Sequence, residues 1–139
     1  MPHVVVLYTA NLEDPPAPGG ADLPAFCRRV ADALVGLCDD TGRPVFPTGG
    51  VRVFAYPATH FAVADGSGDH GFVYVQMRMA RGRSAAVHQA AGDALATAAR
   101  THFAALLAQR RLGLTVQVDE GAEVFDAKLG NLHALFDAA

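Results

Sequence analysis

The chain has 139 residues, of which 51% are hydrophobic and only 18% charged, and its net charge is −3 at pH 7. That length predicts one domain, residues 1–139, with a real core. Because so little polar material is available to cover a small monomer, the composition favours an oligomer. Lys128 is the only lysine, which argues against a nucleic-acid partner, since phosphate binding needs a clustered basic face.

No targeting or membrane segment is expected. The start of the chain lacks the basic region of a signal peptide, and Glu13 and Asp14 soon interrupt the apolar run. No apolar run approaches membrane-spanning length. We therefore expect a soluble cytoplasmic protein with no membrane partner.

The first half of the chain reads as strand, helix, strand. Val4–Leu7 is a run of β-formers without a polar break, typical of a buried strand. A proline-rich loop, Asn11–Gly20, separates it from a helix that Asp22 caps and that residues 39–44 end. Val51–Tyr56 is the second strand. It alternates between two faces, one with Val51, Val53 and Ala55, the other with Arg52, Phe54 and Tyr56.

The second half repeats the pattern. Phe72–Met79 is the third strand, Ser84 caps a long helix that runs to about Arg110, and Leu114–Val118 is the fourth strand. The order predicts two β-α-β units, each with a parallel strand pair. The fold class is α+β, a two-layer β-α-β-β-α-β arrangement with a four-stranded sheet and two helices on one face. Its uncovered face again favours an oligomer.

Pro2 is the first candidate for chemistry. Removal of Met1 is plausible because the next residue is small, and it would leave Pro2 with a free secondary amine. A buried strand directly behind it would hold that nitrogen in place. Apolar surroundings and nearby cations would lower the pKa of the amine, so that it could act as a base near neutral pH. The alternative is that the Met-Pro start carries no function.

Two arginines are the next candidates. Arg52 lies in a strand between Val51 and Val53, where a charge must reach solvent, a partner or a ligand. Arg83 directly precedes the cap of the second helix, where backbone N–H groups and a guanidinium together suit a carboxylate. A structural salt bridge for Arg52 and simple solvation for Arg83 are the alternatives.

The remaining reactive side chains indicate no further site. Cys27 and Cys38 are eleven positions apart on the predicted helix, too far for a disulfide, and read as small buried hydrophobes. The six histidines show no metal-ligand spacing, and His102 falls on a helix stripe, as a core histidine would. Ser84 has no nucleophile-elbow motif around it, which argues against a serine hydrolase.

Taken together, the Pro2 start, Arg52 in the second strand and Arg83 within Gly82-Arg83-Ser84 resemble the tautomerase superfamily. Within it, the chain is most similar to the 5-carboxymethyl-2-hydroxymuconate isomerases. The similarity extends over nearly the whole chain and rests on short landmarks in order, namely Met1-Pro2-His3, 21–24, 50–52, 64–66, 82–84, 101–106 and 133–136.

The resemblance implies a homotrimer whose sheets surround a central barrel, and a cofactor-free isomerase of dicarboxylate or tricarboxylate dienols formed in aromatic catabolism. By the same resemblance, Pro2 is the base that moves a proton between an enol oxygen and a carbon. Arg52 and Arg83 match the family's catalytic and carboxylate-binding arginines. Fixed cations of this kind would stabilise charge on the substrate oxygens.

The chain departs from the family pattern at two places. The loop 13–20 is longer and richer in proline, and the stretch after Arg52 has Phe54, Tyr56 and Phe61 where the family carries basic and tryptophan residues. These departures leave the substrate open. Alternatives are a tautomerase of another 2-hydroxydienoate or of a keto acid, and a non-catalytic trimeric carboxylate-binding homologue that retains Met1.

Overall fold

A computed structural model describes residues 2–13 and 20–137. Four strands and three helices follow one another along the chain: β1 (His3–Thr9), α1 (Leu23–Val35), β2 (Arg52–Ala58), β3 (Gly71–Ala80), α2 (Ala85–His102), α3 (Ala104–Gln109) and β4 (Leu112–Gly121). Short 3-10 turns form at Ala10–Glu13, Thr48–Gly50 and His133–Leu135.

The strands form one mixed sheet in the order β2-β1-β3-β4. The pairs β1/β2 and β3/β4 are parallel, as the two β-α-β units predict, and the central pair β1/β3 is antiparallel. Because β1 has a hydrogen-bonded neighbour on each side, the start of the chain is held inside the sheet and not at its edge.

The core lies between the sheet and the helices, which cover one face. Alternate strand residues, such as Val4, Val6, Val75 and Met77, are fully buried against Phe26 and other helix residues. Both predicted caps form: Asp22 Oδ1 accepts from the Ala25 N–H at 3.3 Å and Ser84 Oγ from the Val87 N–H at 3.2 Å. The predicted α+β class and the two helices on one face are confirmed.

Three local predictions were wrong. Helix α1 ends at Val35, because Gly36 caps it through its N–H to the Asp32 carbonyl, so Cys38 lies beyond the helix and is exposed. The second long helix is two helices, which meet at the buried Phe103. Strand β1 is buried on one face only, since Leu7 is 45% exposed on the other.

Most of the proline-rich loop, residues 14–19, lies outside the described residues, as does Met1. Within the described part of the chain, no helix is both long enough and apolar enough to cross a membrane.

Candidate active site

The face of the sheet opposite the helices carries the candidate site. On this face His3 is paired with Arg52 of β2 on one side and with Arg78 of β3 on the other. Since paired residues on neighbouring strands point to the same side, the three side chains form one row across the sheet. Two of them are cationic, and the histidine lies between them.

A cavity of about 1180 Å³ lies over this row. His3, Arg52 and Arg78 line it from the sheet, and the segment 122–133, which follows β4, lines it from the other side. That segment carries apolar side chains that are almost fully exposed in the single chain, including Val124, Phe125 and Leu129. A polar floor with an apolar wall is typical of a small-molecule site.

The wall segment is anchored by a close backbone approach. A Cβ placed on Gly49 would lie 3.0 Å from the His133 Cα and 3.2 Å from a ring carbon of Phe136, so a larger residue would press the segment away from the turn. Gly49 belongs to the 3-10 turn that leads directly into β2. The contact therefore fixes the wall segment beside Arg52, whose Nη2 also reaches the Gly50 carbonyl at 3.5 Å.

The charges around His3 favour its neutral form. Burial, and then the Arg52 and Arg78 guanidiniums, lower the pKa of His3, while Asp126 acts in the opposite direction. Asp126 is itself paired with Lys128, and that pair lowers the pKa of the Asp126 carboxyl. The sheet side of the cavity is thus cationic, whereas the wall carries the Asp126–Lys128 pair and the carboxylate of Glu123.

The predicted site residues fall into two groups. Arg52 lines the cavity, whereas Pro2 is buried directly before β1, next to His3 of the cavity floor, and does not itself line the cavity. Arg83 does not line it: this half-buried side chain lies at the start of α2 with its guanidinium carbon 4.9 Å from the centre of the Phe46 ring. The single chain therefore places Pro2 and Arg52 at the same end of the sheet and keeps Arg83 out of the cavity lining.

Sequence reasoning missed Arg78. Arg78 lies between two fully buried residues, Met77 and Met79. Arg52 likewise lies between two apolar residues. The alternation of β3 would have placed Arg78 on the open face. The wall segment was also missed, because it has no regular period from which a position could be inferred.

Of the other histidines, His102 has a structural role. His102 donates from Nε2 to the backbone carbonyls of Ala21 and Asp22, which confirms the prediction of a satisfied core histidine. His60 is exposed and His70 is half-buried. Among residues 2–13 and 20–137, no group of three His, Cys, Asp or Glu side chains is arranged to hold a metal ion.

The sheet order and the two parallel β-α-β pairs are those of a tautomerase-like fold. A symmetric trimer of a fused 4-OT shares this fold, with a TM-score of 0.50 at 18% identity over 95% of this chain and 98% of that one.

Closer relatives identify the family. A family model for 5-carboxymethyl-2-hydroxymuconate isomerase matches residues 2–136. The 5-carboxymethyl-2-hydroxymuconate Delta-isomerase of Escherichia coli is 33% identical over 136 residues, 98% of this chain and 99% of that one. A crystal structure of a 5-carboxymethyl-2-hydroxymuconate delta-isomerase superimposes with a TM-score of 0.89 at 56% identity, over 98% of this chain and 93% of the other. The chain belongs to the 5-carboxymethyl-2-hydroxymuconate isomerase family and is an isomerase.

Proposed function

We propose that this protein isomerises a 2-hydroxymuconate-type dienol acid, with the ring nitrogen of Pro2 as the base after removal of Met1. The observation that carries the proposal is the position of Pro2, buried beside a cavity with a cationic floor. The names of its relatives support the substrate class. A polycarboxylate dienol would be drawn to that floor by charge.

In the proposed mechanism the neutral Pro2 nitrogen accepts the proton of the enol hydroxyl and returns it to a carbon of the diene. The double bonds shift as the enol becomes a ketone, so no redox partner is needed. Arg52 would bind oxygens of the substrate and stabilise the negative charge that develops on them. The same guanidinium would favour the neutral amine of Pro2 over its protonated form.

Arg83 is proposed as a second carboxylate-binding residue. Because neither Arg83 nor the residues on either side of it line the cavity of its own chain, we propose that it meets the substrate in the cavity of a neighbouring copy. This role depends on assembly, and it distinguishes Arg83 from Arg52, which faces the cavity of its own chain.

We further propose that the protein is a homotrimer, assembled through the open sheet face. Three large side chains on that face are about half exposed in the single chain, namely Leu7, Phe54 and Tyr56. A row of this kind is costly to leave in water and suits burial against identical copies. A fused 4-OT of the same fold forms a symmetric trimer, which supports three copies as the number. The cytoplasmic location stays a prediction from the sequence.

The proposal is tested first by intact mass and by Pro2→Ala. We expect the mature protein to lack Met1, and we expect Pro2→Ala to lower kcat on 2-hydroxymuconate about 10²- to 10⁴-fold, the usual contribution of a positioned base. Pro57→Ala, at an exposed position of β2, is the matched control and should keep wild-type activity. A retained Met1 together with full turnover would refute the assignment of the base.

Two further measurements separate the remaining possibilities. Arg83→Ala should weaken inhibition by dicarboxylates while the protein stays folded, and unchanged inhibition would remove Arg83 from the site. A spectrophotometric panel of 2-hydroxydienoates and a phenylpyruvate-type keto acid should show highest kcat/KM for the dienols. Preference for the keto acid would instead favour the alternative tautomerase.

A further inference from the structure

The two arginines of the cavity floor lean apart. Arg52 reaches back toward the Gly50 carbonyl, ahead of β2. Arg78 lies over the end of β4, where a Cβ placed on Gly121 would be 2.8 Å from the Arg78 guanidinium carbon. Their strands are separated by β1, so their Cα atoms are about 10 Å apart. The guanidiniums are therefore at opposite ends of the row, with His3 between them.

Arg78 makes no ion pair within the described part of the chain. No acidic side chain there lies within ion-pair distance of it. Asp119, its direct neighbour on β4, instead accepts a hydrogen bond from Gln76 Nε2 at 2.6 Å. Lys128, the third cationic side chain that lines the cavity, is paired with Asp126. Arg78 thus presents to the cavity a guanidinium that no ion pair of the described residues engages.

We propose that Arg78 is a substrate-binding residue that holds the carboxylate at the far end of a dienol diacid, while Arg52 holds the carboxylate beside the enol. This rests on the proposed function. A six-carbon diacid with a carboxylate at each end would lie along the row from β2 to β4. Its diene would then pass over His3, close to Pro2. Arg78 would select substrates with two carboxylates over those with one.

Binding of two non-reacting dienes tests this without reference to turnover. Muconate has a carboxylate at each end of a six-carbon diene, and sorbate has the same chain with one carboxylate. Calorimetric titration should show that Arg78→Gln weakens muconate binding roughly 10- to 100-fold, the effect of losing a charge-assisted pair. Sorbate binding should change less than about threefold. Arg78→Lys, which keeps the charge, should recover part of the loss.

Arg81→Gln is the matched control, because Arg81 is an exposed arginine directly after β3 that does not line the cavity. It should leave both affinities near wild type. Equal weakening of muconate and sorbate by Arg78→Gln would overturn the proposal, since it would indicate a general field and not a carboxylate contact. Unchanged muconate affinity would also overturn it. Thermal unfolding confirms that each variant is folded.

Steady-state kinetics extend the test to the reaction. Arg78→Gln should raise KM for 2-hydroxymuconate roughly 10- to 100-fold and leave kcat nearly unchanged, whereas KM for 2-hydroxypenta-2,4-dienoate, which lacks the far carboxylate, should hardly move. If the wild type isomerises neither dienol, the proposed function fails. The muconate and sorbate affinities still decide the role of Arg78 in that case.

Discussion

His102 donates a hydrogen bond from Nε2 to the carbonyl oxygen of Ala21, 2.8 Å away, and so joins the last residue of α2 to the chain just before α1. A carbonyl oxygen only accepts, so Nε2 carries the proton in this contact. The same ring packs against Phe26 and Phe103, with centroids 5.1 and 4.9 Å away. One side chain therefore connects both helices and the core.

Removal of this side chain should destabilise the fold. We expect His102→Ala to lower the free energy of unfolding by about 2–3 kcal/mol, because the hydrogen bond and two ring contacts are lost together. His102→Phe keeps the ring contacts and should cost only about 1 kcal/mol. Urea denaturation measures both. His60→Ala, on an exposed loop, should stay within ~0.5 kcal/mol of wild type, and an equally small effect of His102→Ala would contradict the role of this contact.

Stability should fall as the solution is acidified through the range in which His3 titrates. Burial, then Arg52 and Arg78, lower the pKa of His3 below 6.5 in the folded protein. Between that lowered pKa and 6.5 the unfolded chain binds more protons, so the free energy of unfolding rises with pH and decreases on acidification. His3→Gln removes this contribution. We expect a smaller loss of stability between pH 7.5 and 5.5 in the variant than in the wild type, measured by urea denaturation at each pH.

The opposite change provides a check on the sign. Asp126 raises the pKa of His3, against the two guanidiniums. Asp126→Asn should therefore lower the pKa of His3 further and make the loss of stability on acidification steeper. A shallower profile in Asp126→Asn would contradict the electrostatic account of the cavity floor.

Replacement of Gly92 by alanine should stabilise the protein. It lies inside α2, where glycine is entropically unfavourable, and a Cβ there would meet only Val118 Cγ2 at an ordinary 3.8 Å. Gly92→Ala should raise stability by about 0.5–1 kcal/mol. Gly82→Ala is the contrasting variant. Gly82 has a φ of +107° just before α2, a backbone conformation that alanine adopts only with strain, so this substitution should destabilise the protein. Thermal unfolding that moves both variants in the same direction would count against this explanation.

The two cysteines should react at different rates. Cys38 is exposed, whereas Cys27 is half-buried and burial raises the pKa of its thiol. Since the thiolate is the reactive form, iodoacetamide should modify Cys38 roughly tenfold or more faster than Cys27. Mass spectrometry resolves the two phases, and Cys38→Ser should remove the fast one. A single phase in the wild type would show that exposure does not separate them.

Much of the fold could be predicted because local signals and packing agree. The caps at Asp22 and Ser84 and the alternation in β2 each indicate one structure, and the two parallel pairs follow from the crossover helices. The helix ends could not be predicted so well. The apolar stripe of α1 continues past Gly36, and Phe103 divides the second helix because its ring is buried against Phe26, 4.7 Å between centroids. That contact depends on tertiary packing.

The candidate site was only partly predictable, for a physical reason. Arg52, which lines the cavity, and Pro2, the proposed base, both stand out from their own neighbours in the sequence. Arg78 can be assigned to the site only once the strand register, which pairs it with His3, is known. The wall segment 122–133 can be placed over the site only once the close approach of His133 to Gly49 is known. Arg83, prominent in the sequence, does not line the cavity of its own chain. Each of these positions depends on contacts between residues far apart in the sequence, which a short stretch of sequence does not reveal.

The burial of Pro2 has a practical consequence for recombinant work. Residues fused ahead of it would turn its nitrogen into an amide and add bulk next to the floor of the cavity. If Pro2 is the base, an amino-terminal affinity tag would therefore abolish the isomerase activity without unfolding the protein. A leader that a protease cuts directly before the proline would keep the preparation inert until cleavage, and the moment of cleavage would start the reaction.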